Sequence, residues 1–122
     1  MRWGSTLAAA LAAIVVIDGD TIELDGTRWR LMGYDTPETV HAQCDAERAL
    51  GRIAAKRLRE LVSDGQVMIR ANRRATDRYG RRLGWLFVNG EDVGKILIRE
   101  GMARPYDGRS KRKNWCAKIS PR

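Results

Sequence analysis

Ile14-Val15-Val16-Ile17-Asp18-Gly19-Asp20-Thr21-Ile22-Glu23-Leu24-Asp25-Gly26-Thr27-Arg28-Trp29-Arg30-Leu31-Met32 reads as three short strands joined by two tight bends. The opening run is β-branched throughout, which suits a pleated and half-buried surface. Ile22/Leu24 and Trp29/Leu31 alternate with polar neighbours at the period of two expected when one face of a strand is buried. Asp25-Gly26 sits between the second and third strands, and Asp-Gly tolerates the positive φ values of a type I′ hairpin turn. Asp18-Gly19-Asp20 forms the other bend.

Working outward, residues 33–39 contain Gly33 and Pro37 and read as a loop. Apolar residues at 50, 53, 54, 58, 61 and 62 fall on one face of a helix over residues 45–62, with Gly65 as its stop. Residues 66–71 and 83–88 read as strands, Asn89-Gly90 as a turn, and residues 93–100 as a short helix ended by Gly101. Three strands, a helix, two strands and a helix give a mainly β chain with helices (α+β). The expected architecture is a five-stranded OB-fold barrel with two to three helices. That fold commonly binds oligonucleotides, although a fold alone does not establish chemistry.

The chain has 122 residues, with 23 Lys+Arg against 15 Asp+Glu for a net charge of +8. A chain of this size buries about two-thirds of its unfolded surface, enough for one core. No run of 18 apolar residues is present, so no membrane span is expected, and two cysteines are too few for a disulfide-dense scaffold. Residues 14–122 are therefore read as a single domain. Residues 1–13 form a leader open to two readings. Arg2 followed by an Ala-rich apolar run resembles a secretory signal, and the same run also leads directly into the first strand.

Charge is unevenly distributed. Residues 1–40 carry three basic and six acidic side chains, whereas residues 41–122 carry 20 basic and nine acidic ones. The basic part suits a polyanion such as nucleic acid. Its arginine bias favours two-point contacts with phosphate. Acids gathered in the front of a basic chain suggest a hard-cation site beside an anion-binding surface. Asp18, Asp20, Asp35 and Glu38 all lie at bends that a curled meander could bring to one end, with no soft ligand nearby. For Asp18 alone, turn chemistry is the favoured reading, whereas Asp20, Asp35 and Glu38 together read as a site. Arg30 points opposite to Trp29 and Leu31. Arg81 follows the turn Asp77-Arg78-Tyr79-Gly80. A cation, two arginines and a carboxylate able to activate water are the set that phosphoryl transfer needs.

Val16-Ile17-Asp18-Gly19-Asp20-Thr21, Arg30-Leu31-Met32-Gly33-Tyr34-Asp35-Thr36-Pro37-Glu38 and Asp77-Arg78-Tyr79-Gly80-Arg81 resemble, in order and separation, the three signature segments of the staphylococcal nuclease (thermonuclease) family. The resemblance runs from about residue 14 to residue 106. It implies a Ca²⁺-dependent phosphodiesterase on an OB fold that cuts DNA and RNA at the 5′ oxygen–phosphorus bond and leaves 3′-phosphate ends. It makes Asp20, Asp35 and the Thr36 carbonyl the calcium ligands, with Asp18 as a supporting acid. It assigns Arg30 and Arg81 to the scissile phosphate and Glu38 to the attacking water as general base. Arg78, Tyr79 and Tyr106 become substrate contacts. Compared with the founding member, the Asp25-Gly26 hairpin is shorter, and the basic run at residues 109–113 replaces much of a longer C-terminal helix.

The expected partners are DNA and RNA, with single strands favoured and the chain a monomer. A secreted or periplasmic location is favoured over a cytoplasmic one. A nucleic-acid-binding module without catalysis is the alternative. Cys44 and Cys116 read either as buried free thiols or, in an exported protein, as a bridge stapling the tail to the first helix. His41 reads as an exposed loop residue. Trp29 and Trp85 read as core, and the 109–113 run reads as a solvated tail or an additional phosphate clamp.

Overall fold

The computed structural model describes residues 14–116; the leader at 1–13, with Trp3, lies outside the described residues. Strands β1 (Ile14–Asp18), β2 (Thr21–Leu24) and β3 (Thr27–Leu31) form the antiparallel meander expected of the opening segment. Asp25 and Gly26 both take positive φ, 51° and 83°, as a type I′ turn requires. A register shift between Val16 and Asp18 bulges β1 just before the first bend. The two-residue strand β4 (Tyr34–Asp35) follows, and then helix α1 (Asp45–Asp64). Next come β5 (Val67–Thr76), β6 (Arg82–Val88), β7 (Glu91–Asp92), helix α2 (Val93–Arg99) and β8 (Arg104–Pro105).

The sheet order is β1-β2-β3-β6-β5, with β3 and β6 parallel and β7 hydrogen-bonded to β6. The mixed α+β class and the OB-like strand order match the expectation. The sheet is not closed into a barrel, because β1 and β5 end the hydrogen-bonded path unpaired with each other. β4 and β8 pair separately, Tyr34 opposite Pro105 and Asp35 opposite Arg104. Ile22, Trp29, Leu31, Tyr34, Leu58, Leu86, Val93 and Leu97 make the core between the sheet and the helices. Each fully buried aliphatic side chain among them contributes roughly 1.5–3 kcal/mol.

The buried face of α1 matches the expected one only in part. Glu47, Gly51, Ala54, Ala55 and Leu58 face inward, whereas Leu50 and Ile53 are 43% and 52% exposed. Ala54 and Leu58 face inward as expected, and Leu61 and Val62 pack against the core, but the inner face also takes in the small residues Gly51 and Ala55, which allow close approach. Gly51 shows why. A Cβ there would lie 2.3 Å from the Glu38 carbonyl oxygen and 2.7 Å from its carbon. Helix α1 therefore lies directly against the backbone of the loop that carries Glu38. Gly51→Ala gains helix propensity of about 1 kcal/mol, but the clash is with backbone and cannot be relieved by a rotamer change. A net loss of about 1–3 kcal/mol is expected, read by chemical denaturation, together with a drop in any activity that depends on the placement of Glu38.

Trp29 is core, 6% exposed, and the Arg82 guanidinium lies 4.5 Å from its ring centroid. Trp85 is only half-buried. It lines the cleft described below and carries the Arg70 guanidinium 5.6 Å from its ring. Among the described residues no helix is long and apolar enough to cross a membrane.

Candidate active site

The bend after β1, the start of β2, the end of β3, the β4 loop and the turn between β5 and β6 meet at one end of the sheet. Asp20 and Asp35, 3% and 2% exposed, are the most deeply buried of four buried carboxylates here, with Asp18 and Glu47. Asp20 Oδ2 accepts from the Thr36 amide at 3.0 Å, and Oδ1 accepts from the Thr21 hydroxyl at 3.0 Å. Arg30 Nη2 stands 3.4 Å from Asp20 Oδ2 and 3.2 Å from Asp35 Oδ1, bridging the two acids. Its Nη1 donates to the carbonyls of Leu31 at 2.6 Å and Tyr34 at 3.1 Å. These acceptors fix the plane of the guanidinium. Burial, with the field of Asp20, raises the pKa of the Asp35 carboxyl; Arg112 and its hydrogen bond, and that of Trp115, oppose the rise.

Glu38 lies beyond Thr36 and Pro37. Burial and the negative charges of Asp20 and Asp18 lift its pKa from the usual 4.5 to about 7, against the pull of Arg112. A carboxylate titrating near neutrality is poised to take a proton from water. The loop that holds it is tied to α1 by Glu47, whose Oε2 accepts from the Glu38 amide at 3.0 Å and whose Oε1 accepts from the Gln43 amide at 3.0 Å. Asp18 Oδ1 accepts from the amide and the hydroxyl of Thr39, so Asp18 braces the far side of the same loop.

Arg81 reaches the cluster from the turn between β5 and β6 and lines the same cleft. Its Nη1 is 3.5 Å from the Thr21 hydroxyl. Asp77 positions it by accepting from Arg81 Nε at 2.6 Å and from the amides of Arg81 and Tyr79 at 3.0 and 2.9 Å. Burial pushes the Asp77 carboxyl up, but these donors outweigh it and hold the group below the usual range. Tyr79 is 70% exposed, with Arg78 and Arg81 each 5.3 Å from its ring. Tyr106, tied by its amide to the Gly33 carbonyl at 3.1 Å, lies 5.9 Å from the Arg30 guanidinium. Arg30, Asp35, Glu38, Arg81, Tyr79 and Tyr106 share one open cleft of about 900 Å³, within the usual range for ligand sites.

Asp20, Asp35 and the Thr36 carbonyl offer only oxygen donors, a set that suits a hard divalent cation. The buried Thr36 Oγ1 has no hydrogen-bond partner, so one further polar atom here is left unsatisfied. Among the described residues no three His, Cys, Asp or Glu side chains are grouped to hold a metal. The proposed set needs only two, with a carbonyl, and two guanidinium groups now lie against it.

Three residues here were not expected from the sequence. Glu47 sits three positions after the α1 N-cap Cys44, the spacing of a capping box, and this was the available signal. Arg112 places Nε 2.9 and 3.0 Å from the two Asp35 oxygens. Its Nη2 is 3.3 Å from the Thr36 carbonyl, and its Nη1 is 3.5 Å from Glu38 Oε2. Trp115 donates its indole N–H to Asp35 Oδ2 at 3.3 Å. The tail is held down by a disulfide between Cys44 and Cys116. The 109–113 run is thus partly turned inward: Arg109, Lys111 and Lys113 are exposed, whereas Arg112 is not. His41 is exposed.

Comparison with known proteins agrees with this geometry. A family model described as "Staphylococcal nuclease homologue" matches residues 28–119. The chain is 38% identical over 97 residues to endonuclease YncB of Bacillus subtilis, covering 72% of this chain and 44% of that protein. It is 36% identical over 93 residues to a thermonuclease of Staphylococcus intermedius, covering 73% and 55%. It is also 38% identical over 96 residues to succinoglycan biosynthesis protein ExoI of Rhizobium meliloti, covering 75% and 50%. The chain spans about half the length of these curated relatives. With the three signature segments gathered at one end of an OB-like sheet and this match over most of its length, the chain belongs to the staphylococcal nuclease family.

Proposed function

We propose that the chain is a Ca²⁺-dependent nuclease that hydrolyses phosphodiester bonds of DNA and RNA at the 5′ oxygen–phosphorus bond. The observation that carries this reading is one cleft lined by Arg30, Arg81, Asp35 and Glu38, in which Arg30 bridges Asp20 and Asp35, Arg81 reaches the Thr21 hydroxyl and the Glu38 pKa is raised to about 7. Asp20, Asp35 and the Thr36 carbonyl are the residues that would hold the cation, with Asp18 bracing the loop behind them. A divalent ion there supplies neutralisation of the two aspartates and polarisation of a phosphoryl oxygen.

The chain's own groups do the rest. Arg30 and Arg81 grip the scissile phosphate and balance the charge that builds on its equatorial oxygens. Glu38 accepts a proton as a water oxygen bonds to phosphorus. The bond from phosphorus to the 5′ oxygen breaks, and that oxygen leaves as a hydroxyl after taking up a proton. Arg78, Tyr79 and Tyr106 contact the flanking nucleotides, and exposed aromatic rings with stacked guanidinium groups suit unpaired bases. Single strands are accordingly the preferred substrate, bound by a monomer.

The products test the bond assignment. The new 5′ ends should accept phosphate from polynucleotide kinase without prior phosphatase treatment, and the 3′ ends should carry phosphate. Ends with 5′-phosphate and 3′-hydroxyl would place the cut on the other side of the phosphorus and overturn the assigned line of attack.

A further inference from the structure

Arg112 sits where the proposed ion would bind. Its guanidinium touches both oxygens of Asp35, the Thr36 carbonyl and Glu38 Oε2, and comes within 4.0 Å of Glu47 Oε2. Two of these groups, Asp35 and the Thr36 carbonyl, are proposed ligands of the ion. The remaining proposed ligand, Asp20, is engaged by Arg30, which lies deeper at 15% side-chain exposure. Arg112 is 37% exposed at the mouth of the site and comes from the tail. The chain returns Arg112 to this point by two anchors. The Cys44–Cys116 disulfide ties the tail to the N-cap of α1 across 72 residues of sequence. The Trp115 indole donates to the same Asp35 carboxylate.

We propose that Arg112 is a resident competitor for the cation, a tethered guanidinium that fills the Asp35–Thr36–Glu38 mouth and must be displaced before a divalent ion can bind. This rests on the reading of Asp20, Asp35 and Thr36 as cation ligands. The physical logic is effective concentration: a positive group held four residues from a covalent anchor is always at hand, while a free ion must compete from solution. Charge-assisted hydrogen bonds to a largely buried carboxylate are strong enough for the competition to matter. The disulfide then sets the strength of the block. Two-electron reduction by a dithiol, which takes up two protons at Cys44 and Cys116, frees the tail end and lowers the local concentration of the guanidinium. Ion binding tightens without any change in the ligands.

Ca²⁺ affinity, measured by calorimetry on the full chain, reads this without an activity assay. Arg112→Gln should bind Ca²⁺ about 10- to 100-fold more tightly than the parent, the range given by loss of one charge-assisted hydrogen bond. Dithiol treatment should tighten the parent and leave Arg112→Gln nearly unchanged. On Ca²⁺ addition to the parent, the Trp115 indole N–H resonance, assigned with Trp115→Phe, should shift as the Asp35 contact is lost. Arg112→Gln is the primary variant because it leaves the disulfide, and the stability that goes with it, in place. Measurable binding that is equal or weaker in Arg112→Gln overturns the competitor role and leaves the ion site standing. No Ca²⁺ binding in the parent, in Arg112→Gln or after reduction overturns both, and Asp35→Asn as a control separates specific from diffuse binding.

Discussion

Glu38→Gln is expected to lower turnover on DNA by about 10²–10⁴-fold, the usual contribution of a general base, while making the ion-free protein more stable. Both effects have one cause. Burial and the charges of Asp20 and Asp18 disfavour the ionised form of Glu38 in the folded chain, lifting its pKa to about 7 from 4.5. In the unfolded chain the group ionises near 4.5. A carboxyl whose folded pKa is raised is neutral in both states below about 4.5. It costs stability increasingly as pH rises from there to about 7, and the full cost persists above. Glutamine keeps the shape and never ionises, so it removes this cost. Because the side chain is still 25% exposed, solvent screening reduces the gain to about 1 kcal/mol. That corresponds to a few degrees in Tm. Thermal unfolding of both proteins with chelator at pH 5 and pH 8 should show only a small gap at the lower pH and a larger one in favour of the variant at the higher. A variant that is less stable at pH 8 would place Glu38 in a supporting structural role instead.

Arg81→Ala should cost about 10²–10³-fold in kcat, the scale of losing one preorganised donor at a developing oxyanion, with the fold intact. The turn does not depend on the guanidinium alone, because Asp77 also accepts the amides of Tyr79 and Arg81. Unfolding stability should therefore fall by no more than about 1 kcal/mol, as for other partly exposed ion pairs. Arg81→Lys separates charge from geometry. An ammonium restores the positive charge without the two-point fork, so kcat should recover only in part. Wild-type turnover in Arg81→Ala would remove this residue from the mechanism. A large rise in KM with kcat unchanged would make it a binding group only.

The strands and the site acids were legible because their causes are local. Alternation of apolar and polar residues marks Trp29 and Leu31 as the buried face of β3, and Asp25-Gly26 and Asn89-Gly90 both take the positive φ values their turns require. The acids at bends also came together, since a meander with a bulge near Asp18 brings successive loops to one end. Apart from the Cys44–Cys116 bridge, one of two readings the cysteines offered, contacts between distant segments were not legible. The inner face of α1 is chosen by the closeness of the Glu38 backbone to Gly51, which no count of apolar residues encodes. Residues 72–76 continue β5 although four of the five are polar, because part of that stretch pairs with β6 across a register shift. Arg112 read as one charge in a basic run, and only the Cys44–Cys116 link and the paired strands β4 and β8 bring the tail to Asp35. Trp85 read as core from its strand position, yet the open cleft leaves it half-covered beneath Arg70.

The most direct measurement of the central claim is cleavage and binding of single-stranded and duplex DNA in parallel, with Ca²⁺ and then with excess chelator, using Glu38→Ala as the control. A Ca²⁺-dependent nuclease predicts cutting that chelation and the variant both abolish, while salt-sensitive binding survives in each. Tight binding with no cutting at any Ca²⁺ concentration, in the parent and in Arg112→Gln, would contradict it and leave a nucleic-acid-binding module that has kept the signature residues.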